Sequence, residues 1–199
     1  MKAIIFGING QDGFYLSQQL QKQAINVIGV SRSGGKHLSG NVSDFHFVNE
    51  LIQKIKPTYI FHLAANSTTR HDAILENYET ITTGTLNILE SVKKHSPFTK
   101  VFITGSGLQF QNTGKPISEL DKFDFSNSYS LVRNQSVFAT RYYRTFGIKI
   151  YVGYLFHHES PLRGDNHVSK IIVNGAKRIS AGSKEKIEIG DISVKKEFR

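Results

Sequence analysis

The chain contains no cysteine among its 199 residues, which excludes disulfides, thiolate catalysis and cysteine-ligated zinc. It also lacks any apolar run approaching the roughly 18 residues that a membrane span needs, so no membrane partner is expected. The N-terminus opens on a strand-like run, Ala3-Ile4-Ile5-Phe6. A charged leader with an apolar plug would mark a secretory signal, and none is read there. With neither signal nor cysteine, a cytoplasmic location is the expectation. Zinc-finger spacing and RNA-recognition aromatic motifs are missing as well. The formal net charge of +9 is therefore not read as a nucleic-acid footprint. Its Lys and Arg residues are scattered from Lys2 to Arg199, and the densest group (Lys184, Lys186, Lys195 and Lys196) lies among acids. Such a surface suits anionic small molecules, nucleotides and sugar diphosphates among them. His157 and His158 stand side by side with no third ligand at a recognisable spacing, so no metal site is expected.

What is present suffices for a folded domain: 39% hydrophobic residues, with 14 Phe and 8 Tyr, can build a real core. Strand and helix patterns alternate. Strands are expected at Lys2–Phe6, Asn26–Val30, Tyr59–Leu63, Lys100–Thr104 and Lys149–Leu155, and helices at Gln11–Gln23, Asp44–Ile55, Tyr78–Lys94 and Ser128–Phe146. That order predicts an α/β fold, a parallel sheet covered on both faces, through about residue 156. After Phe156 the chain turns polar and turn-rich. A helix is expected at Val168–Arg178 and a short strand at Lys186–Ile189, as though a second lobe began over residues 157–199 and stayed incomplete.

The most telling stretch is Gly7-Ile8-Asn9-Gly10-Gln11-Asp12-Gly13. Its glycines are spaced G-x-x-G-x-x-G between a strand pattern and a helix pattern. A strand that ends in a tight turn and starts a helix aims backbone N–H groups and the positive end of the helix dipole at one spot. Glycines keep side chains away, so a pyrophosphate can reach those donors. A ligand-free glycine turn is the bland alternative. The strand-before, helix-after setting favours dinucleotide binding. After the second strand comes Ser31-Arg32-Ser33, with no acid to hold the ribose hydroxyls of NAD. An arginine there can pair with the extra phosphate of NADP, so NADP is expected over NAD.

Three segments, the glycine stretch through Leu16, Phe61-His62-Leu63-Ala64-Ala65, and Leu155-Phe156-His157-His158-Glu159-Ser160-Pro161-Leu162-Arg163-Gly164, resemble GDP-mannose 4,6-dehydratases of the extended short-chain dehydrogenase/reductase superfamily. The likeness runs through nearly the whole chain, and family members carry a further C-terminal portion. The resemblance implies a Rossmann-type doubly wound parallel sheet holding NAD(P) over residues 1–156, with a nucleotide sugar, GDP-linked, bound between it and a smaller lobe that starts at 157. Carried over by position, Gly7, Gly10, Gln11, Asp12 and Gly13 would wrap the pyrophosphate. Asn41 and Val42 would sit by the adenine, and Leu63, Ala64 and Ala65 would line the cofactor beyond the third strand. His158 would also touch the cofactor, and His157, Glu159 and Arg163 the substrate. Relatives commonly pair through two long helices, here Tyr78–Lys94 and Ser128–Phe146, which implies a homodimer.

The same resemblance places the chemistry. The superfamily uses Tyr-x-x-x-Lys on a helix, one turn apart and hence on one face, with a Ser or Thr at the end of an earlier strand. The cation favours the tyrosinate and grips the nicotinamide ribose, while the tyrosine exchanges a proton with a sugar hydroxyl. Tyr129 and Ser106 fit two of these positions, and the lysine position is Arg133. Sugar 4,6-dehydratases place a Glu two residues past the Ser/Thr to remove the proton beside the new ketone, and here that residue is Leu108. A hydride transfer at the sugar 4-position is expected. Leu108 leaves open a 4-epimerase or 4-ketoreductase, and Leu108 with Arg133 leaves open a catalytically silent cofactor-binding relative.

Overall fold

The computed structural model describes residues 1–165 and 167–193, so Lys195 and Lys196 lie outside the described residues. The chain divides into two compact units, Met1–Leu155 and Phe156–Arg199.

In the first unit six strands, β1 (Lys2–Phe6), β2 (Asn26–Ser31), β3 (Leu38–Ser39), β4 (Tyr59–His62), β5 (Lys100–Ser106) and β6 (Lys149–Leu155), form one sheet in the order β3-β2-β1-β4-β5-β6. Every pairing is parallel. This order is that of the Rossmann-type doubly wound sheet, whose strand sequence reverses direction between β1 and β4 and opens a crevice at their C-terminal ends. The period-two alternation of β1 explains its double burial. Ile4 and Phe6 join a cluster with Val48, Ile52, Ile88, Leu89 and Val92. Ala3 and Ile5 join another with Ile8, Leu20 and Ile25. Helices α2 (Phe45–Ile55) and α4 (Gly84–His95) thus cover one face, and α1 (Gln11–Lys22) lies on the other. The start of α2 is set by Asp44, whose carboxylate accepts a hydrogen bond from Phe47 N at 3.1 Å, an N-cap that satisfies an otherwise orphan donor.

Two expectations differ from what is found. The helix expected at Tyr78–Lys94 is composite: α3 (Ile74–Asn77) runs into a π-turn at Tyr78–Thr83 before α4 begins at Gly84. A π-turn widens the helix by one residue. Here it sets Thr80 beside a cleft and packs Ile81 with residues of α5 (Ser128–Arg144). Residues Lys186–Ile189 form no strand and run as irregular chain. Their alternation of Lys and Glu with isoleucines resembles a strand, but Ile187 instead packs over Gly175 of helix α6 (Val168–Ser180), with side-chain carbons 2.7 Å from where a Cβ would stand.

Candidate active site

The turn between β1 and α1 is shaped by contacts that only glycine permits. Gly7 has φ +89°, and a Cβ there would stand 2.6 Å from Ala64 N. A Cβ on Gly13 would lie 2.5 Å from the Gly7 carbonyl oxygen. Both close approaches are between backbones, so neither can be relieved by a side-chain rotation. Gly10 caps α1 and offers it no side-chain acceptor, which leaves the helix start to backbone groups and the dipole. Around this turn lies a cleft of about 380 Å³. Its walls include Gly7, Gly10, Arg32, Asn41, Val42, Leu63, Ala64 and Ala65. Gln11, Asp12 and Gly13 form the first turn of α1 behind that wall. A backbone cradle that a Cβ would fill, at a helix start and at the reversal point of the sheet, fits the pyrophosphate of a dinucleotide.

Several cleft residues carried no signal in the sequence. Asn9 Nδ2 donates to Ser31 Oγ at 2.8 Å and to Ser33 Oγ at 3.0 Å, which pins the glycine turn to the loop after β2. Arg32 extends from that loop to an acid 44 residues away: its Nη2 lies 2.8 Å from Glu76 Oε1. The other Glu76 oxygen accepts from Asn66 Nδ2 at 2.9 Å. Hydrogen bonds from Arg32, then from Asn66, hold the Glu76 carboxyl below the usual carboxylate range.

Ala65, on the cleft wall, packs in one cluster with Ile81 and with Tyr129 and Val132 of α5. Asn127 caps that helix by accepting from Ser130 N at 2.9 Å. Ser128 Oγ donates to the Thr69 and Arg70 carbonyls. Tyr129, so fixed, is 7% exposed and packs with Ile81, Val132 and Ala65. One turn on, Arg133 is buried, and its guanidinium is spent on two partners. Nε and Nη2 donate to the Tyr129 hydroxyl at 3.1 and 2.9 Å. Nη1 donates to the Thr104 carbonyl at 2.6 Å and to Thr104 Oγ1 at 2.8 Å. Ser106, at the end of β5, accepts from Leu108 N at 3.2 Å, while its own N–H donates to Gln109 Oε1 at 2.7 Å. Buried Gln109 in turn donates to Asn134 on α5 at 2.9 Å, so the turn that carries Ser106 is tied to the helix that carries Tyr129.

Beneath these groups lies His62, fully buried against Phe6. Neither ring nitrogen makes a hydrogen bond of good geometry, although the Thr80 and Ile81 backbone lies near enough to favour the protonated ring slightly. Burial, reinforced by the Arg133 cation, lowers the imidazole to about 4, so it is neutral at physiological pH.

The second unit holds the other four candidates. His157 is exposed. His158 Nδ1 lies 2.7 Å from the Phe156 carbonyl, an acceptor, so that nitrogen carries the proton. Glu159 accepts from Ser169 Oγ at 2.8 Å and stands 3.5 Å from Arg163 Nε. Among the described residues, no helix is long and apolar enough to cross a membrane.

Comparison with known proteins agrees with this layout. The GDP-mannose 4,6 dehydratase family model matches residues 4–199. GDP-mannose 4,6 dehydratase 1 of Arabidopsis thaliana is 29% identical over 225 residues, covering 98% of this chain and 62% of that protein. GDP-mannose 4,6 dehydratase 2 of Caenorhabditis elegans is 30% identical, with 98% and 59% covered. The chain thus spans about three fifths of these relatives' length. Among solved structures, a UDP-glucose 4-epimerase of Thermotoga maritima with UDP-glucose superposes with a TM-score of 0.78 at 18% identity, over 92% of this chain and 64% of that one. A dTDP-glucose 4,6-dehydratase of Bacillus anthracis in complex with NAD gives 0.77 at 18%, over 89% and 62%. At these identities the structural likeness speaks for the fold.

Proposed function

We propose that this chain, which belongs to the GDP-mannose 4,6 dehydratase family, binds a nicotinamide dinucleotide, NADP in preference to NAD, and modifies a nucleotide sugar at its 4-position. The observation that carries this reading is the glycine cradle on the wall of the cleft, whose neighbouring wall residue Ala65 packs in one cluster with Tyr129. Gly7, Gly10 and the start of α1 would hold the pyrophosphate, with Asn41 and Val42 at the adenine end and Arg32 beside the adenosine ribose. When bound, the nicotinamide supplies the hydride acceptor for the sugar carbon.

The chain's own residues handle the proton. The Tyr129 oxygen accepts two hydrogen bonds from Arg133, which has no acceptor of its own. The phenolic proton must therefore point away from Arg133, and the fixed oxygen is set to exchange a proton with the sugar 4-hydroxyl. Ser106 steadies the same sugar oxygen. Arg133 works through Tyr129 by fastening it to Thr104 of β5. His157, Glu159 and Arg163 are assigned to the nucleotide-sugar substrate, and His158 to the cofactor. Leu108 is half-exposed in the turn after Ser106, and an alkyl side chain cannot remove a proton. That favours a second reading in which the chain inverts the sugar's 4-position, or reduces a 4-keto sugar with NADPH, without loss of water. We also assign a homodimer, because Leu86 of α4 and Phe138 and Tyr142 of α5 leave large apolar groups exposed. A cysteine-free enzyme acting on sugar nucleotides suits the cytoplasm.

The test is incubation of the protein with NADP and GDP-mannose, followed by mass and NMR analysis of the sugar. A product lighter by one water identifies dehydration. Unchanged mass with inverted configuration identifies epimerisation, and NADPH with a 4-keto sugar tests reduction. Cofactor binding without turnover of any nucleotide sugar would refute an enzymatic role.

A further inference from the structure

We infer that Glu76 is a specificity-determining residue of the cofactor cleft: by holding Arg32, it tempers how strongly the chain prefers a phosphorylated adenosine ribose to a bare one. The inference rests on the cofactor assignment above and concerns a residue that touches neither the glycine turn nor the Tyr129 site. Arg32 is the cation on the cleft wall beside Ser31 and Ser33. In the resting chain its charge is already matched by Glu76, at 2.8 Å. The carboxylate is not a passing partner. Its second oxygen is taken by Asn66, and Asn66 N is held in turn by the buried Asn77 Oδ1 at 3.2 Å. Glu76 is thereby fixed between the loop after β2 and the loop after β4.

Two consequences follow for an incoming nucleotide. A ribose with two free hydroxyls carries no charge, so the charge balance at Arg32 acts on it far less than on a phosphate. A ribose phosphomonoester is close to a dianion and meets an arginine whose charge is balanced, with a carboxylate directly behind it. It must share the guanidinium fork with Glu76 or draw it away. The fork allows sharing, since only Nη2 is engaged with Glu76 and two further nitrogens carry donors. The pair is also weak enough to be exchanged, because its side chains are 59% and 40% exposed and solvent screens such contacts. Glu76 therefore reduces the phosphate preference without reversing it.

Calorimetric titration of the full chain with NADP and with NAD, in low and high salt, tests this. Glu76→Gln keeps the size and an oxygen for Arg32, and removes the charge together with the acceptor that faces Asn66 Nδ2. It is expected to tighten NADP about fivefold at low salt, to leave NAD within about twofold, and to lose most of the gain at high salt, where the charge effect is screened. Arg32→Ala combined with Glu76→Gln should cancel the gain. Glu76→Ala, which drops the bonds to both Arg32 and Asn66, controls for the anchoring: it should give the same NADP gain, whereas a peg that merely shapes the loop would weaken both nucleotides alike. An unchanged NADP-to-NAD ratio in Glu76→Gln, or a gain insensitive to salt, overturns the inference while leaving the cofactor assignment intact. Failure of the unaltered chain to bind either nucleotide overturns both.

Discussion

The glycine turn after β1 and the Tyr129–Arg133 turn of α5 are linked through the packing of Ala65 but are built differently. The first is made of backbone: Gly7 and Gly13 are defined by what cannot be placed on them, with main-chain atoms 2.5–2.6 Å from the missing Cβ positions. The second is made of side chains. Its geometry comes from a buried arginine that grips a phenol and a threonine. A backbone cradle tolerates almost no substitution and reads directly from glycine spacing. A side-chain clamp can be rebuilt with another cation, and its spacing alone does not tell where the donors go.

The sharpest way to break that comparison is to alter the backbone end. Gly7→Val puts a β-branched residue at φ +89° with its Cβ against Ala64 N. We expect a loss of about 4 kcal/mol or more of stability, together with loss of nucleotide binding, read by chemical denaturation and calorimetry. A stable variant that still binds NADP would show that the turn is not the cradle. At the other end, Tyr129→Phe deletes only the hydroxyl that Arg133 holds. Turnover should fall by roughly 10²–10⁴-fold while NADP affinity changes little, measured by steady-state assay beside calorimetry. Retained activity would remove Tyr129 from the chemistry.

What the sequence disclosed follows the same division. The five longer strands, the helix expected at Asp44–Ile55 and the glycine turn were legible because each depends on local pattern: period-two apolar runs, helical apolar spacing, or glycine where no Cβ fits. The π-turn at Tyr78–Thr83 was not, since Ile81, Leu86, Ile88, Leu89 and Val92 keep a helical apolar rhythm with no glycine or proline before Gly84 to mark the change. Lys186–Ile189 misled in the opposite sense, because two alternating isoleucines satisfy a strand pattern without a neighbouring strand to pair with. At the candidate site, eight of the proposed cofactor residues line one cleft. Glu76 and Asn9 escaped notice because their roles exist only after folding, across 44 and 22 residues of chain.

His62 sharpens the comparison from beneath. Its folded value of about 4 lies below the ordinary imidazole value of 6.5. Between those values the unfolded chain binds a proton that the folded chain refuses. Stability should therefore fall as pH drops from about 6.5 towards 4, by about 3 kcal/mol in all, and hold steady above that range. His62→Leu removes the titrating ring and its two unpartnered nitrogens, so it should cost within about 1 kcal/mol at neutral pH and flatten the acid limb. Denaturation midpoints from pH 4 to 8 for both proteins test this. An equally steep acid limb in His62→Leu would assign the loss to other groups.

The smallest expected effect calibrates the rest. Asp44→Ala removes the cap of α2, a helix buried against β1 and β4 through Val48 and Ile52 but distant in role from both ends of the cleft. The cost should be about 1 kcal/mol, with nucleotide affinity and any turnover unchanged once stability is allowed for. Asp44 lies two residues past Val42, which lines the end of the cleft proposed for the adenine, so the outcome discriminates. If NADP affinity falls by more than the stability loss explains, the adenine wall depends on how α2 is seated. The side-chain logic of the reaction end would then extend into the cleft region assigned to backbone.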